Sequence, residues 1–430
     1  MTTTDVAVVG AGFAGLVAAR ELGWLGRSAL VLEARDRIGG RALTEHRWGS
    51  NLELGGTYVH WYQAHIWAEL DRYQLTVKPG AAVAEIAYWI AGGRLHSGTF
   101  EELRDFAGDR VRDVMRSSVK YLPRPTSALG SERIRTVDDE SVVQHLDRIG
   151  LTGAERDLLE GLIATDFSGL PAEGAMSQAF RWWAFSSGDW DVHFDVAGGY
   201  KIVEGTSELA RRMRHDITAE VRLGAVVTRV EQDENGVSIS TADGEIVRSQ
   251  HAIVTVPLSV LGSIVFSPDL NPAKRAMIAE GQMSRGTKVW ARLRGELRPF
   301  LAIAPPTEIF TMCQAEYSRP GETIVACFGP DGGRIDPEDR AGVESAIRLW
   351  LPDAEVISSF GHDWCADEYS RETWPMLRPG QLTKHFDGLR APEGRVHMAG
   401  SIYSDGWGSF IDGALETGIS AARRIDEQLR

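Results

Sequence analysis

The stretch DVAVVGAGFAGLVAARELGWLGRSALVLEARDRIGGR, residues 5–41, constrains the fold of this 430-residue chain more than any other segment. An apolar run at residues 6–9 leads into Gly10, Gly12 and Gly15. A segment of helical pattern then runs to about Leu25, followed by a second apolar run from Ala29 to Leu32 and by Glu33. Each residue type has a physical reason for its place. Gly10 lets the chain turn tightly out of the first strand, Gly12 removes a Cβ where backbone approaches a pyrophosphate, and Gly15 lets helix pack closely on strand. Phe13 and Ala14 stand at the start of that helix, whose free N–H groups and positive dipole end receive the phosphates. Glu33 follows Gly15 by 18 residues, close to the spacing of about 20 at which an acid reaches a ribose hydroxyl. Strand, helix, strand and acid in register predict a Rossmann-type βαβ unit, hence an α/β fold. NAD, NADP and FAD present the same ADP half, so the unit alone does not choose among them.

The residues that follow narrow the reading. Arg35, Arg37, Gly39, Gly40 and Arg41 form E-x-R-x-R-x-G-G-R with Glu33, and Gly55, Gly56 and Thr57 follow in ELGGTY. An arginine beside paired glycines can approach a pyrophosphate from the side opposite the helix and add charge-assisted hydrogen bonds. A solvated basic loop is the plainer alternative.

Three motifs, LEARDRIGGR, LELGGTYVH and, near the C-terminus, MAGSIYSDGWGSFIDGALETG, are similar to those of the flavin-containing amine oxidases of the monoamine oxidase type. The segments IVFSPDL and HDWCADEYSRETW and the overall length resemble the bacterial 6-hydroxynicotine oxidases most. The resemblance runs in order from residue 5 to about 424, with specific terminal motifs and a looser middle. It implies a discontinuous FAD-binding domain of the glutathione-reductase-like kind with an α+β substrate domain, a small amine as substrate and molecular oxygen as electron acceptor. Gly400, Ser401 and Ile411 then join the cofactor site, and Val227 meets the adenine. Thr373 occupies the position where mammalian monoamine oxidases carry the cysteine bonded to flavin, which implies non-covalent FAD. Ile402 replaces a family acid that helps hold the ribityl or phosphate end, with Asp405 as a candidate substitute.

The same resemblance assigns the chemistry. Trp374 and Trp407 are expected to flank the substrate in front of the flavin, with Phe410 beside them. Lys288, at the head of the apolar strand TKVWARL, matches a lysine that promotes reoxidation by oxygen; the residues alone read as a strand-end surface lysine. Asp166 matches a substrate-contacting asparagine, and a carboxylate there can pair with an ammonium or hydroxyl; a helix or loop cap is the alternative. His60, Trp61 and Trp182 are further candidates for the pocket wall. From Ser409, the residues Ile411, Leu415, Ile419, Ala422, Ile425 and Leu429 fall at helical spacing. The N-terminus of this helix carries partial positive charge suited to a reduced flavin; docking for packing alone is the alternative.

Composition excludes several classes. A formal net charge of −14 argues against a nucleic-acid partner. The three cysteines, Cys313, Cys327 and Cys365, have no metal-ligand spacing and are too few for a disulfide framework, so no metal and a reducing cytoplasm are expected. A strand beginning by about Asp5 leaves no room for a signal peptide, and no run of about 18 apolar residues suggests a membrane anchor. A homodimer is an assembly the sequence leaves open.

Along the chain, residues 1–75, 200–285 and 385–430 are expected to build the FAD-binding domain, and 76–199 and 286–384 the substrate-binding domain. The text of 76–199 is helical and aromatic with a break at LPRPTSALGS, whereas VVTRVEQDENGVSISTADGEIVRSQHAIVTVP alternates as a β-meander with Asn-Gly and Asp-Gly turns. Besides an amine oxidase, the residues admit an amine dehydrogenase, desaturase or cyclase on the same scaffold. An NAD(P)-linked reductase and a non-catalytic flavin-binding module are the readings from other classes.

Overall fold

The computed structural model describes residues 2–80 and 84–430. The opening strand, Thr2–Val9, lies between Ala29–Leu32 and Ile246–Val254 and is parallel to both. Its residues Val6, Ala7, Val8 and Val9 are buried, as a parallel strand covered on both faces requires. Glu220–Arg222 extends the parallel set beyond Ala29–Leu32, and Val396–Met398 extends it beyond Ile246–Val254. Ile246–Val254 is a fork: its first half pairs antiparallel with Gly236–Thr241, its second half parallel with Val396–Met398. Val227–Asp233 and Val265–Ser267 complete this eight-stranded sheet.

The two ends of the chain meet on this sheet. The helix Phe13–Trp24 and the terminal helix Ile411–Gln428 pack so closely that a Cβ on Gly418 would lie 2.3 Å from the Ala14 carbonyl oxygen. Gly15 makes the equivalent approach to the first strand turn, where an added Cβ would sit 2.0 Å from the Gly10 oxygen. That contact is what the third glycine of the fingerprint predicts.

A second sheet of seven strands runs in the order Val356–Gly361, Thr287–Arg294, Glu322–Gly329, Met312–Arg319, Phe300–Ile303, Ile86–Ala91, Arg94–Gly98. Its pairings are antiparallel except that of Phe300–Ile303 with Ile86–Ala91. The hairpin Ile86–Ala91/Arg94–Gly98 departs from the helical reading of residues 76–199. Gly92 and Gly93, at φ 59° and 70°, supply the two left-handed residues of its tight turn, so a Gly-Gly signal was present in the sequence. From there the segment is helical, through Phe100–Tyr121, Gly153–Phe167, Met176–Phe185 and Trp190–Gly198 among others. The LPRPTSALGS break falls after Phe100–Tyr121.

Alternation along Thr287–Arg294 sets the geometry of the site. Val289, Ala291 and Leu293 enter a core closed by the helix Arg340–Ile347. Lys288 and Trp290 are left for the opposite face.

Candidate active site

That opposite face looks onto a cavity of about 480 Å³ that reaches from the fingerprint loop to the second sheet. Its first half is walled largely by backbone. Gly10 sits at φ 103°, a left-handed conformation, and Gly12 and Gly40 face each other so closely that a Cβ on Gly40 would lie 3.2 Å from the Gly12 Cα. Phe13, Ala14, Gly55, Gly56, Thr57, Val227, Gly400, Ser401 and Ile411 line the same half; Gly15 stands behind the wall, packing helix on strand.

Charged groups brace this half. Glu33 lines the cavity, yet its carboxylate already accepts the Ala11 N–H at 2.6 Å and the Arg35 N–H at 2.9 Å, holding the fingerprint turn. The spare lone pairs of its oxygens remain for a ribose hydroxyl. Arg35 reaches Asp367 and donates to Ser370 Oγ at 2.8 Å. Arg41 donates to Glu372 Oε1 at 2.6 Å, and Glu372, fully buried, also accepts from Ser259. The sequence reading missed Glu372, although it lies inside the quoted HDWCADEYSRETW segment.

The residues fit a bound dinucleotide. Among the described residues, the buried Thr373 hydroxyl on the cavity wall has no hydrogen-bond partner, an arrangement that a ligand would relieve. The terminal helix opens onto the cavity through Phe410, Ile411 and Ala414, and its N-cap, Phe410, makes no side-chain capping bond. Its first acid, Asp412, accepts the Ile66 N–H at 2.9 Å instead, on the neighbouring helix Ala64–Arg72. First-turn N–H groups are thus left for an electron-rich ligand edge. Asp405 does not substitute for the family acid: it pairs with Arg390 and is not among the lining residues, while Ile402 is buried in apolar core.

The second half of the cavity is walled by side chains. Lys288 is buried, not a surface residue, and donates to Thr57 Oγ1 at 2.5 Å and to the Gly55 carbonyl at 3.3 Å. Burial among Tyr58, Trp290 and Phe328 pulls its pKa down to about 7, opposed by the charge of Glu53. Glu53 is itself pushed above the usual carboxylate range by burial, with hydrogen bonds from Thr206 and Thr44 acting the other way.

Trp374 lines the cavity and is fixed by its Nε1–H, which donates to the Asp166 carbonyl at 2.8 Å. Phe410 and Trp182 form a second aromatic wall, ring centroids 4.6 Å apart. Trp407 is placed one layer behind. It stacks on Phe185 at 3.9 Å, meets Phe410 edge-on at 5.3 Å, donates to the Tyr62 carbonyl, and is not among the lining residues. His60 pairs with Asp195 and Trp61 is exposed, so neither lines the cavity.

Asp166 is no cap. It lies in the last turn of Gly153–Phe167, where the helix dipole disfavours a carboxylate, and its buried Oδ2 meets His193 Nε2 at 3.0 Å. Both residues line the cavity. His193, on Trp190–Gly198, carried no sequence signal: one histidine near aromatics reads as core.

A family model described as flavin containing amine oxidoreductase matches residues 13–426. The nicotine dehydrogenase of Pseudomonas putida is 35% identical, covering 99% of this chain and 89% of its own. The (S)-6-hydroxynicotine oxidase of Paenarthrobacter nicotinovorans is 30% identical, covering 98% of this chain and 99% of its own. The solved structure of cyclohexylamine oxidase from Brevibacterium oxydans shares the fold, with a TM-score of 0.84 at 22% identity and 99% of both chains covered.

Proposed function

This chain belongs to the flavin-containing amine oxidoreductases, and from that premise we propose that it oxidises a small amine with an apolar or aromatic body, with FAD held non-covalently. The observation that carries the proposal is one continuous cavity: a glycine-lined dinucleotide cradle runs into an aromatic chamber, with the buried Lys288 bonded to Gly55 and Thr57. A bound flavin would supply the two-electron acceptor for a hydride from the carbon beside nitrogen, the products being an imine and, with oxygen as the final acceptor, hydrogen peroxide.

The chain's own residues supply the rest. Trp374 and Phe410 hold the apolar body and exclude water, which favours the neutral amine needed for hydride loss. Trp407 supports Phe410 from behind. Lys288 provides a positive charge at the junction, and the uncapped helix of Ile411 provides partial positive charge on the cofactor side. Thr373, a hydroxyl rather than a thiol, offers no ready covalent tether. Asp166, oriented by His193, takes a second cationic or hydroxyl-bearing group of the substrate. The same proposal assigns residues 1–75, 200–285 and 385–430 to cofactor binding and 76–199 and 286–384 to substrate binding. The membership of the two sheets supports it.

A second reading, transfer of electrons to an acceptor other than oxygen, is favoured by the relative that bears the name nicotine dehydrogenase. No helix among the described residues is long and apolar enough to cross a membrane. Incubating the purified flavoprotein with an amine panel in air separates the readings. The oxidase reading expects one hydrogen peroxide per amine consumed; turnover with an artificial electron dye and none with oxygen favours the dehydrogenase.

A further inference from the structure

Gln314 lines the cavity from the second sheet beside Leu301, Met312 and Phe328, with Lys288 across from Phe328 on the neighbouring strand. Behind it lies a buried network. Glu316, two residues along the strand Met312–Arg319, is nearly inaccessible and touches the Lys201 ammonium through Oε2. Its Oε1 accepts the Tyr58 hydroxyl at 2.6 Å and the Gln314 Nε2–H at 2.8 Å. The Gln314 amide also donates to the Tyr58 oxygen.

The polarity of this network is fixed by its members. An ammonium only donates and an ionised carboxylate only accepts; burial pulls Lys201 down to about 7, and in its charged form, below that pH, Lys201 keeps Glu316 an acceptor, so every group facing Glu316 must be a donor. Tyr58 spends its proton on Glu316, which leaves its oxygen to accept. Both N–H bonds of the Gln314 amide are therefore consumed, and a flipped amide would set its oxygen against the carboxylate. What remains is the amide oxygen of this cavity-lining residue, to which no described residue donates a hydrogen bond. A ligand beside Gln314 must bring the hydrogen.

Resting on the amine-oxidation reading above, we infer that Gln314 accepts a hydrogen bond from a substrate N–H and thereby selects primary and secondary amines over tertiary ones. Glu316 is a positioning residue: it locks the amide with its oxygen toward the substrate. Accepting an N–H leaves the nitrogen lone pair free, which the loss of hydride from the neighbouring carbon requires. A neutral tertiary amine has no hydrogen to give and leaves the oxygen unsatisfied, a penalty of the kind that separates substrates sharply in dry sites.

The test uses the holoenzyme and matched amines, N-methylbenzylamine and N,N-dimethylbenzylamine, in anaerobic stopped-flow at equal concentrations of neutral amine. Dissociation constant and limiting rate of flavin reduction are read separately. Wild type is expected to bind the secondary amine about tenfold more tightly, the ratio one hydrogen bond supplies. Gln314→Met, of similar length and without an acceptor oxygen, is expected to bring that ratio near one. Glu316→Gln is expected to lower the ratio in part, because the amide is free to flip. A merely structural defect would weaken both amines alike and preserve the ratio. An unchanged ratio in Gln314→Met overturns the inference. Reduction of wild type by neither amine, nor by any other of the panel, overturns the premise of amine oxidation and the inference with it.

Discussion

In the cofactor half of the cavity the walls are backbone: Gly10, Gly12, Gly40, Gly55 and Gly56 remove side chains so that main chain can approach a ligand. In the substrate half the walls are side chains, among them Lys288, Gln314, Asp166, His193, Trp374 and Phe410, brought from the second sheet, two helices and two loops. The first half takes no added atom at Gly10 or Gly55, where a Cβ would lie 2.5 Å from Thr255 Oγ1 and 1.8 Å from the Arg41 oxygen. The second tolerates exchange of its side chains at graded cost, which is where substrate choice can change while the cofactor stays the same.

The largest effect tests the rigid half. Gly15→Ala places a methyl 2.0 Å from the Gly10 oxygen, so the fingerprint helix must move. Flavin content of the purified variant, read from its visible absorbance, is expected to fall, with FAD binding weakened by ~100-fold. Wild-type flavin content would mean that the tight helix packing is not what shapes the cofactor half.

Next comes the junction. Lys288→Met is expected to slow reoxidation by oxygen by about 10²-fold, the scale on which one preorganised charge acts, while flavin reduction by amine changes little. Equal losses in both half-reactions would remove its role. Because burial depresses this lysine to about 7, the charged form prevails below that pH and is lost above it. Wild-type reoxidation should accordingly fall as pH rises through about 7, and the variant should lack that transition.

Smaller effects belong to the substrate half. Asp166→Asn is expected to raise KM about tenfold for amines that carry a second cationic group, with kcat less affected, because one charge-assisted bond is removed. An equal rise for amines without that group would mark Asp166 as structural. Trp407→Phe is expected to change kcat/KM by less than about threefold, since the ring lies behind Phe410, whereas Phe410→Ala should cost more. The reverse order would put Trp407 in contact with substrate.

The same contrast explains what the sequence made legible. The cofactor half is written locally: Gly10, Gly12, Gly15 and Glu33 stand at fixed offsets because strand and helix geometry fix them, and the structure puts Gly10 and Gly12 in the turn, Gly15 in the helix Phe13–Trp24 and Glu33 directly after Ala29–Leu32. Val227 opens the predicted meander, and Ile411 opens the predicted helix. The substrate half is written in long-range packing. Lys288 reads as a surface lysine until the sheet buries it, and Trp407 shares a motif with the cavity wall yet sits one layer behind. His193 and Gln314 carry no periodic signal, because their roles come from partners, Asp166 and Glu316, that only the fold brings near.

The central claim, that one cavity joins a flavin to an amine, is tested most directly by anaerobic titration of the purified protein with an amine panel, followed by air. The purified protein is expected to be yellow, its flavin absorbance bleaching with at least one small amine of apolar or aromatic body and recovering when oxygen is admitted. A colourless protein, or a flavin that no amine bleaches, would contradict it.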